Sequence, residues 1–304
     1  MRSAKVLLGA AVGLATIYGA ARAQDASTDR SGKDIREYEE VAQHSPGQNS
    51  GAAWWKLAML YQDQASFADA ERAYAKALEL LKTGEPVALA NMMDCMGTMY
   101  VQEGRFAEGE EMERKALAIR QQQKDALGIG LSWMHLAMLS MGKQDHANGE
   151  MYAELAVGRL VPEKGDRGAT GEQKMTALTY LALARCAAHE CKDAMQPLKR
   201  AMSIAEASYS ETSFPVSYIR FLEGYVNWKR GNDRAAAKLM RIGTEGMEEQ
   251  LGWNHPTFVS AMRQHEGFLV ATQRTAEASE VREKLVRLTG LQTAASTATT
   301  TALR

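Results

Sequence analysis

Small residues recur at fixed spacing along most of this 304-residue chain. Five times along the chain, a Gly or Ala at position i is followed by a Gly or Ala at i+12 and another at i+19. The fifteen small positions are Ala58, Ala70, Ala77, Gly97, Gly109, Ala116, Ala137, Gly149, Ala156, Ala182, Ala194, Ala201, Gly224, Ala236 and Gly243. Small side chains allow two helix backbones to approach closely. The pattern therefore predicts one packing unit that is used five times.

Apolar residues around the small positions follow a helical period. Trp54, Ala58 and Tyr61 are spaced i, i+4, i+7, which places them on one face of an amphipathic helix. The segment "FADAERAYAKAL", which begins at Phe67, aligns with "FAEGEEMERKAL", which begins at Phe106. The unit is therefore predicted to be a helical hairpin. Such a hairpin is stable only when it stacks on its neighbours.

The pattern resembles the tetratricopeptide repeat, although the period of 39 to 45 residues is longer than the usual 34 or so. The loop "LGWNHP" at 251–256 and the segment "DAMQPLKRAMSI" at 193–204 are similar to the kinesin-light-chain type of this repeat. The resemblance implies an all-α fold, a right-handed superhelical solenoid of about six hairpins over residues 34–288. The chain departs from that type in one respect: Asn91 is the only asparagine where the first helices often carry a pair.

The two ends of the predicted array are irregular. Asp34–Gln43 is expected to form a single capping helix. The sixth unit is degraded, because Gly267 and Ala278 are spaced i, i+11 instead of i, i+12, and Leu285 fills the third position. Terminal repeats are often atypical because one of their faces meets water. The insertion at 161–171 is expected to form an extended loop.

The N-terminus is predicted to be a signal peptide over residues 1–23. Arg2 and Lys5 precede a short apolar run, and Ala21-Arg22-Ala23 fits a cleavage site. An uncleaved anchor is the alternative, which the shortness of the run disfavours. Residues 24–33 and the Ala/Thr-rich tail at 289–304 are expected to be disordered. The protein is therefore expected to be exported, either periplasmic or secreted, with no membrane span after signal removal.

Charge and motifs exclude several functions at the level of the sequence. A formal net charge of −1 gives no electrostatic reason to expect nucleic acid as a partner. The chain has no HExxH, P-loop, GxGxxG after a strand or GxSxG motif. We therefore expect a protein that is not an enzyme and that has no catalytic residues, no cofactor and no metal.

Cys186, His189 and Cys191 form the one local group of soft ligands. The cysteines are open to three interpretations: two ordinary turn and helix residues, a disulfide, or part of a metal site. Structural zinc normally takes four ligands, so a stoichiometric metal is not expected there. Cys95 is expected to be an unpaired, half-buried thiol.

In the family that the chain resembles, the stripe next to the small positions of each first helix lines a concave groove. Here that stripe is apolar, and apolar, Met-rich and aromatic surfaces suit protein or peptide binding. The predicted partner-binding groove consists of Trp55, Met59, Met134, Met138, Met141, Leu183, Tyr218, Phe221, Tyr225 and Trp228. The alternative is that the stripe packs as core.

The predicted function is a protein- or peptide-binding scaffold or assembly factor, and the alternative is a structural or self-associating array. The family's carboxylate clamp needs Lys and Asn. Trp55, Met59, Cys95 and His135 stand at the matching places. A role in binding chaperone tails is therefore disfavoured, and the partner and the oligomeric state are not encoded in any motif.

Overall fold

The computed structural model describes residues 28–45, 47–165, 168–189, 191–252 and 255–287. Within these ranges all regular secondary structure is helical, which confirms the predicted all-α repeat fold. The predicted signal peptide and the Ala/Thr-rich tail lie outside the described residues. No helix in the described ranges is long and apolar enough to span a membrane.

The described helices pair into six hairpins after one N-terminal helix, as the small-residue pattern predicts. The helix bounds are α1 Thr28–His44, α2 Gly47–Asp63, α3 Phe67–Leu81, α4 Pro86–Gln102, α5 Phe106–Gln123, α6 Ala126–Gly142, α7 His146–Leu160, α8 Gly171–His189, α9 Met195–Ser208, α10 Phe214–Lys229, α11 Asp233–Leu251 and α12 Pro256–Ala271, with α13 at 275–287. Helix α1 begins six residues before the predicted capping helix.

The chain divides into two compact units, with the boundary after Ala169. In the first unit α1 packs on α2, and the hairpins α2/α3, α4/α5 and α6/α7 follow. The first helices of these hairpins also contact one another, α2 with α4 and α4 with α6. In the second unit the hairpins α8/α9 and α10/α11 pack through α9 and α10, and α11 packs on α12.

All fifteen small positions are buried, which confirms the helix register read from the sequence. At Gly243 an added Cβ would lie 2.7 Å from the backbone nitrogen of Phe221. At Gly109 it would lie 3.1 Å from the carbonyl oxygen of Gly97. The two helices of a hairpin are therefore in backbone contact, and a larger side chain at these glycines would separate them.

Local sequence signals set the helix boundaries. Glu85 caps α4, where its carboxylate accepts from the backbone nitrogens of Val87 and Ala88, and Pro86 occupies the first turn. Asp125 caps α6 through the backbone nitrogen of Gly128. After α7, residues 161–165 and 168–170 are not helical, in agreement with the predicted loop.

Candidate functional site

Seven of the ten predicted groove residues are buried. Their burial agrees with the alternative interpretation of the sequence, in which the apolar stripe packs as core. Their relative exposures are 9 % or less, for Met134, Met138, Met141, Leu183, Tyr218, Phe221 and Tyr225. The physical reason is that the stripe beside the small positions is covered by packing against other helices. Trp55, Met59 and Trp228 remain partly exposed.

Around Trp228 the second unit has an aromatic cluster. The ring of Trp228 meets Tyr225 of its own helix at 5.9 Å and Phe268 of α12 at 5.7 Å, both edge-on. The ammonium of Lys229 lies 4.0 Å from the centroid of the Trp228 ring. His265 stacks on Phe268 at 6.4 Å. Tyr225 and Trp228 belong to the predicted binding groove, and the geometry here is that of rings packed between α10 and α12.

The first unit instead has a cluster of charges between α4, α5 and α6. The guanidinium of Arg120, 1 % exposed, donates to both carboxylate oxygens of Asp94, and the Nη1–Oδ1 distance is 3.0 Å. The same group donates to Ser132 Oγ at 2.7 Å and to Asn91 Oδ1 at 2.8 Å. Asp125 lies 3.9 Å from Arg120 Nε. The positive charge is therefore buried together with its counter-ion.

Glu113 and His135 continue this cluster. Glu113 is 1 % exposed, and its Oε1 lies 3.1 Å from His135 Nδ1. Despite that distance, neither Glu113 oxygen nor His135 Nδ1 makes a hydrogen bond of acceptable geometry. The carboxylate lies over Gly97, where an added Cβ would be 3.1 Å from Oε1. The small position in α4 thus makes room for this buried acid.

Electrostatics in the charged cluster shift two pKa values upward. Burial raises the pKa of Glu113, and the negative charge of Asp94 adds to the effect. Burial by itself would lower the pKa of His135, but the charge of Glu113, the contact of Glu113 with the ring and the charge of Asp94 together outweigh burial, so the net pKa is raised. Beside the cluster, burial raises the pKa of the Cys95 thiol to about 11, so this free cysteine stays protonated.

Sequence motifs do not reveal the charged cluster, because its members come from three helices and a loop. Comparison of the repeats does contain a signal. Four residues after the second small position, the first five hairpins carry Tyr74, Glu113, Ala153, Leu198 and Met240, all buried. Eleven residues after it they carry Leu81, Arg120, Leu160, Ala205 and Met247, also buried. Glu113 and Arg120 are therefore the signal, because they are charged at two core positions that the other hairpins fill with uncharged side chains.

Potential metal ligands come together in this cluster. Among the described residues, Asp94, Glu113 and His135 offer ligand atoms that all lie within 4.8 Å of one another. Cys186 and Cys191 have a different outcome, since their sulfurs are joined in a disulfide across the turn between α8 and α9. Of the three interpretations that the sequence left open, the structure shows the disulfide.

Comparisons with known proteins agree with the fold. The family model described as tetratricopeptide repeat matches residues 89–122, the hairpin that carries Asp94, Glu113 and Arg120. No curated protein sequence matches the chain.

Solved structures extend the likeness over most of the chain. BtubC (BKLC) from P. vanneervenii is 19% identical with a TM-score of 0.59, covering 72% of this chain and 89% of its own. The apo form of RapI is 10% identical with a TM-score of 0.71, covering 90% and 95%. A putative kinesin light chain with TPR-like repeats from Podosopora anserina is 14% identical with a TM-score of 0.54, covering 65% and 94%. The hairpin at 89–122 thus matches the tetratricopeptide-repeat model, and the chain shares the helical-repeat fold of these structures.

Proposed function

We propose that this protein is a binding scaffold, not an enzyme, that docks a protein or peptide segment on the first helices of its first unit. The observation that carries the proposal is a set of exposed and partly exposed side chains on α2, α4 and α6, the first-helix row. It consists of Trp55, Met59, Gln62, Asn91, Thr98 and His135. The helices that carry these side chains are neighbours, since α2 contacts α4 and α4 contacts α6.

The chemistry of the first-helix row suits a polypeptide. Trp55 and Met59 supply apolar anchors, and Met adapts to irregular partners. Amide and hydroxyl groups of Gln62, Asn91 and Thr98 can pair with the backbone of an extended segment. Gln62 Nε2 already donates to Gln102 Oε1 at 3.1 Å, which ties α2 to α4.

The test is site-specific photo-crosslinking followed by measured affinity. A photo-reactive residue at Met59 should cross-link a partner in the envelope or secreted fraction of the producing organism, whereas one at Ala75, exposed on α3, should not. With the identified partner purified, Met59→Glu should weaken binding about tenfold or more at an unchanged melting temperature, and Ala75→Glu should not. Equal cross-linking from both positions, or unchanged affinity for Met59→Glu, would contradict the proposal.

We further propose that the scaffold acts outside the cytoplasm. The N-terminal sequence supports this, and so does the Cys186–Cys191 disulfide, because disulfides persist in oxidising compartments. The mass of the intact protein from its producing organism decides the point. Cleavage after Ala23 is expected, and a full-length mass that retains Met1 would contradict it.

Self-association is a second candidate, and one surface of α7 favours it. Met151 and Leu155 are 43 % and 40 % exposed, and Trp133 of α6 lies beside them under the guanidinium of Arg159, 5.5 Å from the ring. Exposed apolar residues grouped in this way often mark an interface. Sedimentation should then show a dimer that Leu155→Glu dissociates, and a monomer for the wild-type protein excludes this function.

A further inference from the structure

We propose that Asp94, Glu113 and His135 bind one divalent first-row transition-metal ion, with zinc as the probe. The site lies between α4, α5 and α6, with one ligand from each helix. The metal-site proposal is independent of the binding role proposed above, because it rests only on the geometry and burial of these three side chains.

The distances between the ligand atoms fit a shared ion. His135 Nδ1 and Glu113 Oε1 are 3.1 Å apart, yet no hydrogen bond of acceptable geometry joins them. Ligands held about 2.1 Å from one ion lie roughly 3.0 to 3.4 Å apart in octahedral or tetrahedral geometry. All three ligand atoms lie within 4.8 Å of one another, so a small movement of side chains closes the set.

Glu113 is an independent sign that this position binds a cation. Its side chain is 1 % exposed, and neither carboxylate oxygen has a hydrogen-bond partner. A buried carboxylate without donors is strongly destabilising. Its equivalents in the neighbouring hairpins are Tyr74 and Ala153, so the repeat itself does not require an acid here. A bound cation would satisfy both oxygens.

The balance of charge points to a divalent ion. The cluster holds three carboxylates: Asp94 and Asp125 lie against the guanidinium of Arg120, and Glu113 belongs to the ligand set with Asp94. Since Arg120 supplies one positive charge, two negative charges are left over while His135 is neutral. An ion of charge +2 neutralises the cluster, and a neutral cluster is far cheaper to bury than a charged one.

Arg120 acts as a positioning residue for Asp94. It donates to both carboxylate oxygens and is itself fixed by Ser132 Oγ at 2.7 Å. Each carboxylate oxygen has two acceptor sites, so one lone pair on either remains for a metal. Partners of this kind orient metal ligands in proteins and tune their affinity.

The donor set also indicates which metals fit. An imidazole nitrogen with two carboxylate oxygens suits zinc, manganese, iron or cobalt, whereas calcium and magnesium prefer oxygen alone. His135 is 21 % exposed at its side chain, so an ion can reach the buried carboxylates from the surface on that side.

The experiment uses the full chain after chelator treatment and dialysis. Calorimetric titration with zinc should give one ion per chain with a Kd below about 1 µM, and magnesium should bind at least 100-fold more weakly. Cobalt should bind at the same stoichiometry and show visible absorption bands. Zinc should also raise the melting temperature of the wild-type protein, since it binds the folded state.

Variants locate the ion. Glu113→Gln should lower zinc affinity at least 100-fold, and Glu111→Gln, exposed on the same helix, should leave it unchanged. If Glu113→Gln does not fold, His135→Ala serves in its place, because His135 is partly exposed, and the same loss is expected. The proposal is overturned if the folded wild-type protein binds no zinc, or if the folded variants keep wild-type affinity. In those cases protons, not a metal, balance the cluster.

Discussion

His135 and His265 stand at the same position of the repeat, two residues before the first small position of their hairpins, yet their environments are opposite. His135 faces Glu113, and the negative charges of the cluster raise its pKa. His265 stacks on Phe268, and burial lowers its pKa to about 4. One backbone frame therefore holds a charged interior in the first unit and an aromatic one in the second.

This difference shows that the repeat determines which positions pack between the helices, but not whether the side chains at those positions are charged or apolar. The backbone contacts are set by Gly and Ala, which are common to both units. The space between first and second helices is then filled by Glu113 and Arg120 in one place and by Met240 and Met247 in another. Function can therefore change from hairpin to hairpin without a change of fold.

The largest expected effect tests the aromatic side of the comparison. Phe221 is fully buried and its backbone touches Gly243, so Phe221→Ala should cost roughly 3–5 kcal/mol of unfolding free energy. Trp228→Ala, at a partly exposed ring, should cost less. Denaturant unfolding of both variants measures this. Near-wild-type stability for Phe221→Ala would instead indicate that the apolar stripe is exposed, as a binding groove requires.

The charged side of the comparison should be almost as sensitive. Arg120→Leu leaves Asp94 buried without its partner and should cost roughly 3–5 kcal/mol. Adding Asp94→Asn should recover about 1–3 kcal/mol, because the two residues interact directly. Chemical denaturation of the wild type, both single variants and the double variant gives this coupling. Simple additivity would show that the ion pair contributes nothing.

The pH dependence of stability should separate the two histidines. The folded-state pKa of His265 is about 4, below the unfolded value of about 6.5, so its contribution is complete above pH 6.5. It is lost as the pH falls from 6.5 to 4, by up to about 3 kcal/mol. His265→Gln should flatten this part of the stability profile, and His135→Gln should not. An unchanged profile for His265→Gln would contradict the aromatic environment assigned to this ring.

The smallest losses of stability are expected from substitutions at the small helix-contact positions. These losses should be similar in both units, because both units use Gly and Ala at these positions. Ala58→Leu in the first unit and Ala194→Leu in the second should each cost about 1–3 kcal/mol, because both sites are fully buried against a neighbouring helix. Glu111→Ala on an exposed face should stay within about ±0.5 kcal/mol. Thermal melts of the three variants compare them. Equal losses at all three positions would mean that the helix register is incorrect.

The fold could be predicted from the sequence because backbone contact leaves a direct trace. Gly fits where even a Cβ would strike the facing helix, as at Gly243, and Ala fits at fully buried positions such as Ala58 where a larger side chain would not. Exposure of the apolar stripe could not be predicted, since it depends on which helix covers it. Trp228 was predicted as an exposed anchor, but Phe268, which lies much later in the chain in a degraded hairpin, packs against its ring.

The candidate site was missed for a related reason. Asp94, Glu113 and His135 are spaced i, i+19, i+41, and no short motif has that spacing. Glu113 stands in "FAEGEEMERKAL" among other acids that are on the helix surface. Its alignment with the buried Tyr74 was the available signal. In a repeat protein, a buried charge can be recognised from the sequence by aligning equivalent positions of the repeats and finding a charged residue where the other repeats have a core residue.

The Glu113–His135 contact has a consequence for how the hairpins assemble in order. Six similar hairpins in one chain can stack with the wrong neighbour during folding. Only α6 and α12 present a histidine at the position that meets Glu113, whereas α10 presents Leu222 there. A misassembled stack with α10 against α5 would place an aliphatic side chain where the imidazole of His135 faces the buried acid, which disfavours that stack. The contact between Glu113 of one hairpin and His135 of the next thus favours the native order of stacking over this alternative.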